Sequence, residues 1–257
     1  MVWRRQDGPR VVLFLHGYCS PGDPTVSEIE SAAIRAGVHV HVFAPTAPTG
    51  PDRVDPYNPR GLPSWFRYST DLTASVPQQP DDPHGPDVHE VLYGTHGLLA
   101  YTEALVDEFG AGAVAIVGES QGGVMAAFLA MAWTQSHPET PLGGLGLVRT
   151  APHPWTWCDL AEVSHGVPWP TGEGRNPPSL NTTIAVVLGQ DDQVFRPYAS
   201  LYALGPLLEN NPAVAPSQTG AEGGSLGNCF VRVLAEVDHV NQPQEVFATL
   251  FTDLARG

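Results

Sequence analysis

Strand and helix signals alternate along this chain, which predicts an α/β fold with a mostly parallel, doubly wound sheet flanked by helices. Short apolar runs recur at 10–15, 113–117, 142–148, 183–188 and 230–234, and a further one at 38–44 alternates instead. Runs that are apolar at every position read as strands buried on both faces, the mark of a parallel sheet. Helical spacing appears between them, with neither an internal repeat nor a second core pattern. At 257 residues and 42% hydrophobic content the chain can bury a sizeable core, so 1–257 reads as a single domain.

The elements follow in order. Arg10-Val11-Val12-Leu13-Phe14-Leu15 is the first strand. Thr25 and Glu28 form a capping box for a helix through Ile29, Ala33 and Ile34, closed by Gly37. The alternating run 38–44 is a second strand ending at Pro45, with its valines on one face and His39 and His41 on the other. Those two histidines lack nearby carboxylate or cysteine ligands, so ordinary face residues fit them better than a metal site. Asp87 and Glu90 open a long helix in which Val91, Leu98 and Leu105 recur with Leu92, Leu99 and Val106 until Gly110. The repeat is too short for a coiled coil and suits a helix laid on a sheet. Asn241 to Gln244 is a capping pattern for a last helix with an apolar face of Phe247, Leu250, Phe251 and Leu254. Three stretches read as surface loop insertions: 45–86, rich in proline and aspartate; 150–180, holding Trp155, Trp157 and Trp169; and 209–228.

Composition removes several function classes. A net charge of −15 disfavours nucleic acid and anionic membrane surfaces as partners. All twelve basic residues are arginine, which excludes lysine Schiff bases and the phosphate-loop lysine. Cys19, Cys158 and Cys229 are too scattered for a disulfide framework or a metal-ligand set. The first residues are followed by polar ones rather than by a secretory apolar core, and no apolar run reaches transmembrane length. A cytoplasmic protein without integral membrane association is expected, and no motif calls for a metal or an organic cofactor.

Gly118-Glu119-Ser120-Gln121-Gly122 carries the chemistry. It joins the apolar run 113–117 to a helical run beginning Gly123-Val124-Met125. A serine at such a strand–turn–helix junction stands exposed above the strand end, and glycines two before and two after let strand and helix approach. The helix start also offers unpaired N–H groups to a developing oxyanion. A serine needs a base, and the base needs a carboxylate to orient it. The loop after strand 183–188 holds Asp191 and Asp192; the segment after 230–234 holds His239. The order Ser, Asp, His is the one this fold type places at the strand ends. Asp192 is favoured as the acid, with Asp191 open as a turn residue. Asp238 reads as a structural or solvated acid. Gln121, following the nucleophile, supplies one oxyanion N–H; Gly17 permits a chain reversal that aims the Tyr18 N–H as the second. His16 suits fixing that loop by hydrogen bonding.

Leu15-His16-Gly17, Pro63-Ser64-Trp65-Phe66, Gly118 through Gly123, Gly189 through Val194 and His239 together resemble the α/β-hydrolase superfamily. Within it, the pattern is similar to the carboxylesterase/phospholipase group that includes the acyl-protein thioesterases. The resemblance implies Ser120, Asp192 and His239 as the triad, and Tyr18 and Gln121 as oxyanion donors. Gly17 and Trp65 would be substrate-binding positions, with burial as a packing anchor the alternative for Trp65. The implied activity is a cofactor-free serine hydrolase of esters or thioesters, the alternatives being a peptidase or acyltransferase on the same scaffold, or a catalytically silent binding protein. The chain departs from the group in three ways: no proline follows the aspartate, valine follows His239, and the loops 67–86 and 209–228 are long.

Overall fold

The computed structural model describes residues 9–18, 23–47, 62–66, 88–150, 180–209, 225–226, 229–239, 241 and 243–256. Among these residues seven strands form one sheet: β1 (Val11–Leu15), β2 (His41–Phe43), β3 (Val114–Glu119), β4 (Gly144–Val148), β5 (Ile184–Gly189), β6 (Ser225–Leu226) and β7 (Cys229–Leu234). Their order is β2-β1-β3-β4-β5-β7-β6, and every pairing is parallel except that of β6 with β7. Among the described residues five α-helices accompany them: α1 (Asp23–Arg35), α2 (Val88–Phe109), α3 (Gln121–Ser136), α4 (Pro197–Glu209) and α5 (Pro243–Leu254).

The period-two geometry of a strand divides its side chains between two cores. Val11, Leu13 and Leu15 of β1 join Ile116, Leu145, Leu147, Ile184, Val186 and Leu188 in the layer shared with α2, α3 and α4. Val12 and Phe14 join Val117, Val148, Ala185 and Val187 against α1 and α5. A helix therefore lies on each face, which explains why the central strands read as continuous apolar runs. α3 is buried around nearly its whole circumference, from Gln121 to Trp133, between the sheet and α2 against which it packs.

Several elements differ from expectation for identifiable reasons. α1 begins at Asp23, ahead of the Thr25 capping pattern, because Pro24 in a first helical turn forfeits no hydrogen bond. Its end is as expected: Gly37 has φ 77°, its N–H donates to Ile34 O, and the Val38 N–H donates to Ala33 O. That closure engages Val38, so the second strand shrinks from 38–44 to His41–Phe43 at the sheet edge. His39 and His41 are both exposed. Gly110, φ 83°, ends α2 as expected, while Asp87 lies outside the described residues. Two elements were not legible in the pattern. Gly205 and Pro206 break the helical pattern in the sequence of α4, which nevertheless runs unbroken from Pro197 to Glu209, and β6 is a two-residue ladder inside the expected insertion 209–228.

Register places the strand ends that matter. Leu15 of β1 lies opposite Gly118 of β3, and Glu119 opposite Val148 of β4. Gly189 of β5 faces Leu234 of β7. The segments that follow β1, β3, β4, β5 and β7 all emerge at one edge.

Candidate active site

Ser120 is the residue between β3 and α3, with φ 53° and ψ −120°. A side-chain-bearing residue in the left-handed region is strained and persists only where its surroundings hold it. Here they do. The Ser120 N–H donates to Val148 O at 2.9 Å, the Gly123 N–H donates to Ser120 O at 3.0 Å, and the Thr150 hydroxyl donates to Ser120 O at 2.6 Å. Close approach explains the flanking glycines: a Cβ on Gly118 would lie 2.1 Å from Gly122 O, and one on Gly122 would lie 1.9 Å from Leu15 O.

Ser120 Oγ lies 3.0 Å from His239 Nε2, and His239 Nδ1 lies 2.9 Å from Asp192 Oδ2. An ionised carboxylate only accepts hydrogen bonds, so Nδ1 carries a proton toward Asp192 and Nε2 of the neutral ring is left to accept from the serine hydroxyl. Asp192 is buried, and its Oδ1 accepts the N–H groups of Val194 and Phe195 at 2.8 Å each. These bonds fix the carboxylate before the histidine engages it. Asp191 is exposed on the same turn. Phe195 packs against the imidazole, their ring centroids 5.4 Å apart.

The turn carrying His239 is closed by a reciprocal pair. Asp238 N–H donates to Asn241 Oδ1 at 2.8 Å, and Asn241 N–H donates to Asp238 Oδ1 at 2.7 Å. Asn241 therefore reaches back into the histidine turn instead of capping α5, and Asp238 has the structural part expected of it.

Gly17 and Tyr18 follow β1 beside the serine. A Cβ on Gly17 would lie 3.5 Å from Ser120 Cβ and 4.0 Å from its Oγ, so this backbone borders the hydroxyl. Tyr18 is half-buried in the turn that follows. Gln121 is the first residue of α3, where backbone N–H groups have no acceptor within the helix. His16 holds the turn: its Nδ1–H donates to Gly17 O at 2.8 Å and its Nε2 accepts the Ala47 N–H at 2.9 Å. Burial pushes this imidazole below the usual histidine range, consistent with a neutral ring. Trp65 is buried beneath, donating its indole N–H to His16 O at 2.8 Å with its ring 5.1 Å from that of His16. These contacts tie Trp65 to the turn after β1.

No protein-family model and no curated protein matches the sequence. Solved structures do match in shape. SOBER1 of Arabidopsis thaliana has a TM-score of 0.64 at 19% identity, with 96% of this chain and 98% of that one covered. Esterase PE8 has 0.58 at 18%, covering 97% and 93%; acyl-protein thioesterase 2 of Zea mays has 0.58 at 15%, covering 98% and 97%. The chain has the α/β-hydrolase fold.

Within this α/β-hydrolase fold, sequence reasoning missed two supports. The Gln121 side chain is fully buried and grips the 62–66 segment: Oε1 accepts the Trp65 N–H at 2.8 Å and Nε2 donates to Phe66 O at 2.6 Å. Arg149, directly after β4, is buried and pairs with Glu119. One signal for it existed, an arginine at the end of a wholly apolar strand. No helix among the described residues is long and apolar enough to cross a membrane. The tryptophans at 155, 157 and 169 lie outside the described residues.

Proposed function

We propose that this chain is a serine hydrolase of carboxylic esters or thioesters that works through an acyl-enzyme on Ser120. The observation that carries the reading is the continuous relay from Ser120 Oγ to His239 Nε2 and from His239 Nδ1 to Asp192, at 3.0 and 2.9 Å. Its neighbours in shape, named as an esterase and an acyl-protein thioesterase, support it.

In this mechanism the acyl carbonyl carbon sits over the serine hydroxyl. His239 takes the hydroxyl proton at Nε2 as oxygen attacks carbon, and Asp192 stabilises the imidazolium that forms. The carbonyl oxygen becomes an oxyanion beside the backbone N–H groups of Gln121 and Tyr18. Collapse expels the alcohol or thiol, which leaves with the proton from His239. Water then enters and attacks the acyl carbon as it loses a proton to the same nitrogen; the acyl–Oγ bond breaks, that proton passes to Ser120 Oγ, and the acid leaves. Gly17 lines the space next to the hydroxyl, where a Cβ would lie in ordinary contact, 4.0 Å from Ser120 Oγ. Trp65 acts from beneath, holding the His16 carbonyl and so the turn that bears Gly17 and Tyr18. The substrate is a small or acylated ester or thioester, and Cys229, a free buried thiol, suits the reducing cytoplasm.

Replacing Ser120 with alanine tests the reading. Loss of kcat toward p-nitrophenyl esters by about 10⁴-fold or more is expected, together with loss of fluorophosphonate labelling. Hydrolysis surviving at near-parental rate would overturn it.

A further inference from the structure

We propose that Arg149 is a positioning residue, one guanidinium that ties the nucleophile turn to the histidine turn. The proposal rests on the serine-hydrolase reading above. Arg149 is 2% exposed and has φ 45°, a left-handed backbone that long side chains rarely adopt. Its Nη2 pairs with the carboxylate of Glu119, the residue before Ser120. Its Nη1 donates to Asn241 O at 2.9 Å and, more weakly, to Asp238 O at 3.4 Å. Those carbonyls flank His239 on either side. The neighbouring Thr150 hydroxyl holds Ser120 O. The residues just after β4 thus grip both partners of the Ser120–His239 contact.

A simple buried ion pair needs only Glu119 to neutralise the arginine. The second nitrogen is directed at main-chain oxygens of a segment about ninety residues away, which neutralises nothing but fixes where that segment lies. A planar fork can serve two segments at once, whereas a lysine presents a single point charge. A displacement of about 1 Å at a reacting pair can cost about 10²-fold in rate. The guanidinium therefore acts on turnover through the registry of His239 against Ser120.

The test compares parent, E119Q, R149M, E119Q/R149M and R149K, with Ser120→Ala as the reference for serine dependence. Measured are kcat and KM on p-nitrophenyl butyrate, the rate of fluorophosphonate labelling, and Tm. R149M should lower kcat and labelling together, by about 10²-fold, with KM changed less than about threefold. It also strands the Glu119 carboxylate, so its Tm should fall. E119Q/R149M removes that stranded charge and should regain Tm relative to R149M, yet its kcat should stay about 10²-fold below that of E119Q. R149K should lie between parent and R149M in kcat. If R149M does not fold, the double variant carries the test against E119Q. Recovery of kcat along with Tm in the double variant would overturn the proposal, leaving Arg149 as the partner of Glu119 alone. Hydrolysis persisting in Ser120→Ala overturns the underlying reading and this proposal with it. A normal dependence on Ser120 beside an unaffected double variant overturns only the proposal.

Discussion

Asp192 and His239 meet through a single oxygen: Oδ2 faces His239 Nδ1 at 2.9 Å, while Oδ1 is held by the Val194 and Phe195 N–H groups. The two oxygens have separate tasks, one anchoring the carboxylate and one orienting the imidazole. Asp192→Asn keeps the shape but can turn an N–H toward the ring, which favours the tautomer unable to accept the serine proton. A fall in kcat of about 10³- to 10⁴-fold is expected. Asp191, exposed on the same turn, should tolerate asparagine with kcat within about threefold of parent, since surface substitutions away from such contacts have small effects. Steady-state kinetics on the two variants decide between the two aspartates that the sequence left open. A larger loss in Asp191→Asn would reverse the assignment.

Gln121 offers a second test. Its side chain clamps the main chain of Trp65 and Phe66, while its own N–H is one of the two proposed oxyanion donors. Gln121→Met preserves the backbone N–H and most of the volume but takes the side-chain partner from two buried backbone groups. Each such loss costs about 1–3 kcal/mol, so the variant should lose about 2–6 kcal/mol in urea unfolding. Unfolding free energy within 0.5 kcal/mol of parent, on the order of an innocuous surface change, would show the clamp to be incidental.

His16 makes stability depend on pH in a defined direction. Its ring is held neutral by burial, and Nε2 must stay unprotonated to accept the Ala47 N–H. In the unfolded chain the same imidazole titrates near 6.5. Between that value and the lower folded one, the unfolded state binds a proton that the folded state refuses. Stability is then full above 6.5 and lost as pH falls toward the folded value, with a slope of at most about 1.4 kcal/mol per pH unit from this residue. Urea unfolding of parent and His16→Asn at pH 7.5 and 5.5 isolates the contribution. The asparagine variant should be less stable at the higher pH but lose less on acidification. Identical pH dependence in the two proteins would remove His16 from the account.

Much of the candidate site's geometry was legible because its residues follow local sequence signals even where they are distant along the chain. Ser120, Asp192 and His239 each follow their own strand, so strand order alone carries them to one edge. The Glu119–Arg149 pair and the Gln121 clamp were not legible for the opposite reason. Each joins segments whose approach depends on the finished sheet, and neither leaves a spacing rule in the sequence. Asn241 shows a subtler limit: asparagine before a proline-started helix reads as a cap, but a nearby aspartate competes for the same side chain and wins. Local edge effects account for the shortened second strand, since Val38 is already committed to closing α1.

Glycines give opposite expectations according to what surrounds them. A Cβ on Gly122 would meet Leu15 O at 1.9 Å, Leu15 C at 2.4 Å and His16 O at 2.5 Å, all backbone atoms that no rotamer change can move. Alanine there must part α3 from β1 and with it Ser120 from Gly17. A loss of about 3 kcal/mol or more, or failure to fold, is expected. Gly97 lies within α2, is exposed, and has nothing within 4 Å of where its Cβ would stand. Alanine there only removes conformational freedom from the unfolded chain and improves helix propensity, for a gain of about 0.5–1 kcal/mol. Thermal melts of the two variants should therefore move in opposite directions. A Gly122→Ala protein that melts with the parent would mean that the strand–turn–helix junction is looser than the 1.9 Å approach requires.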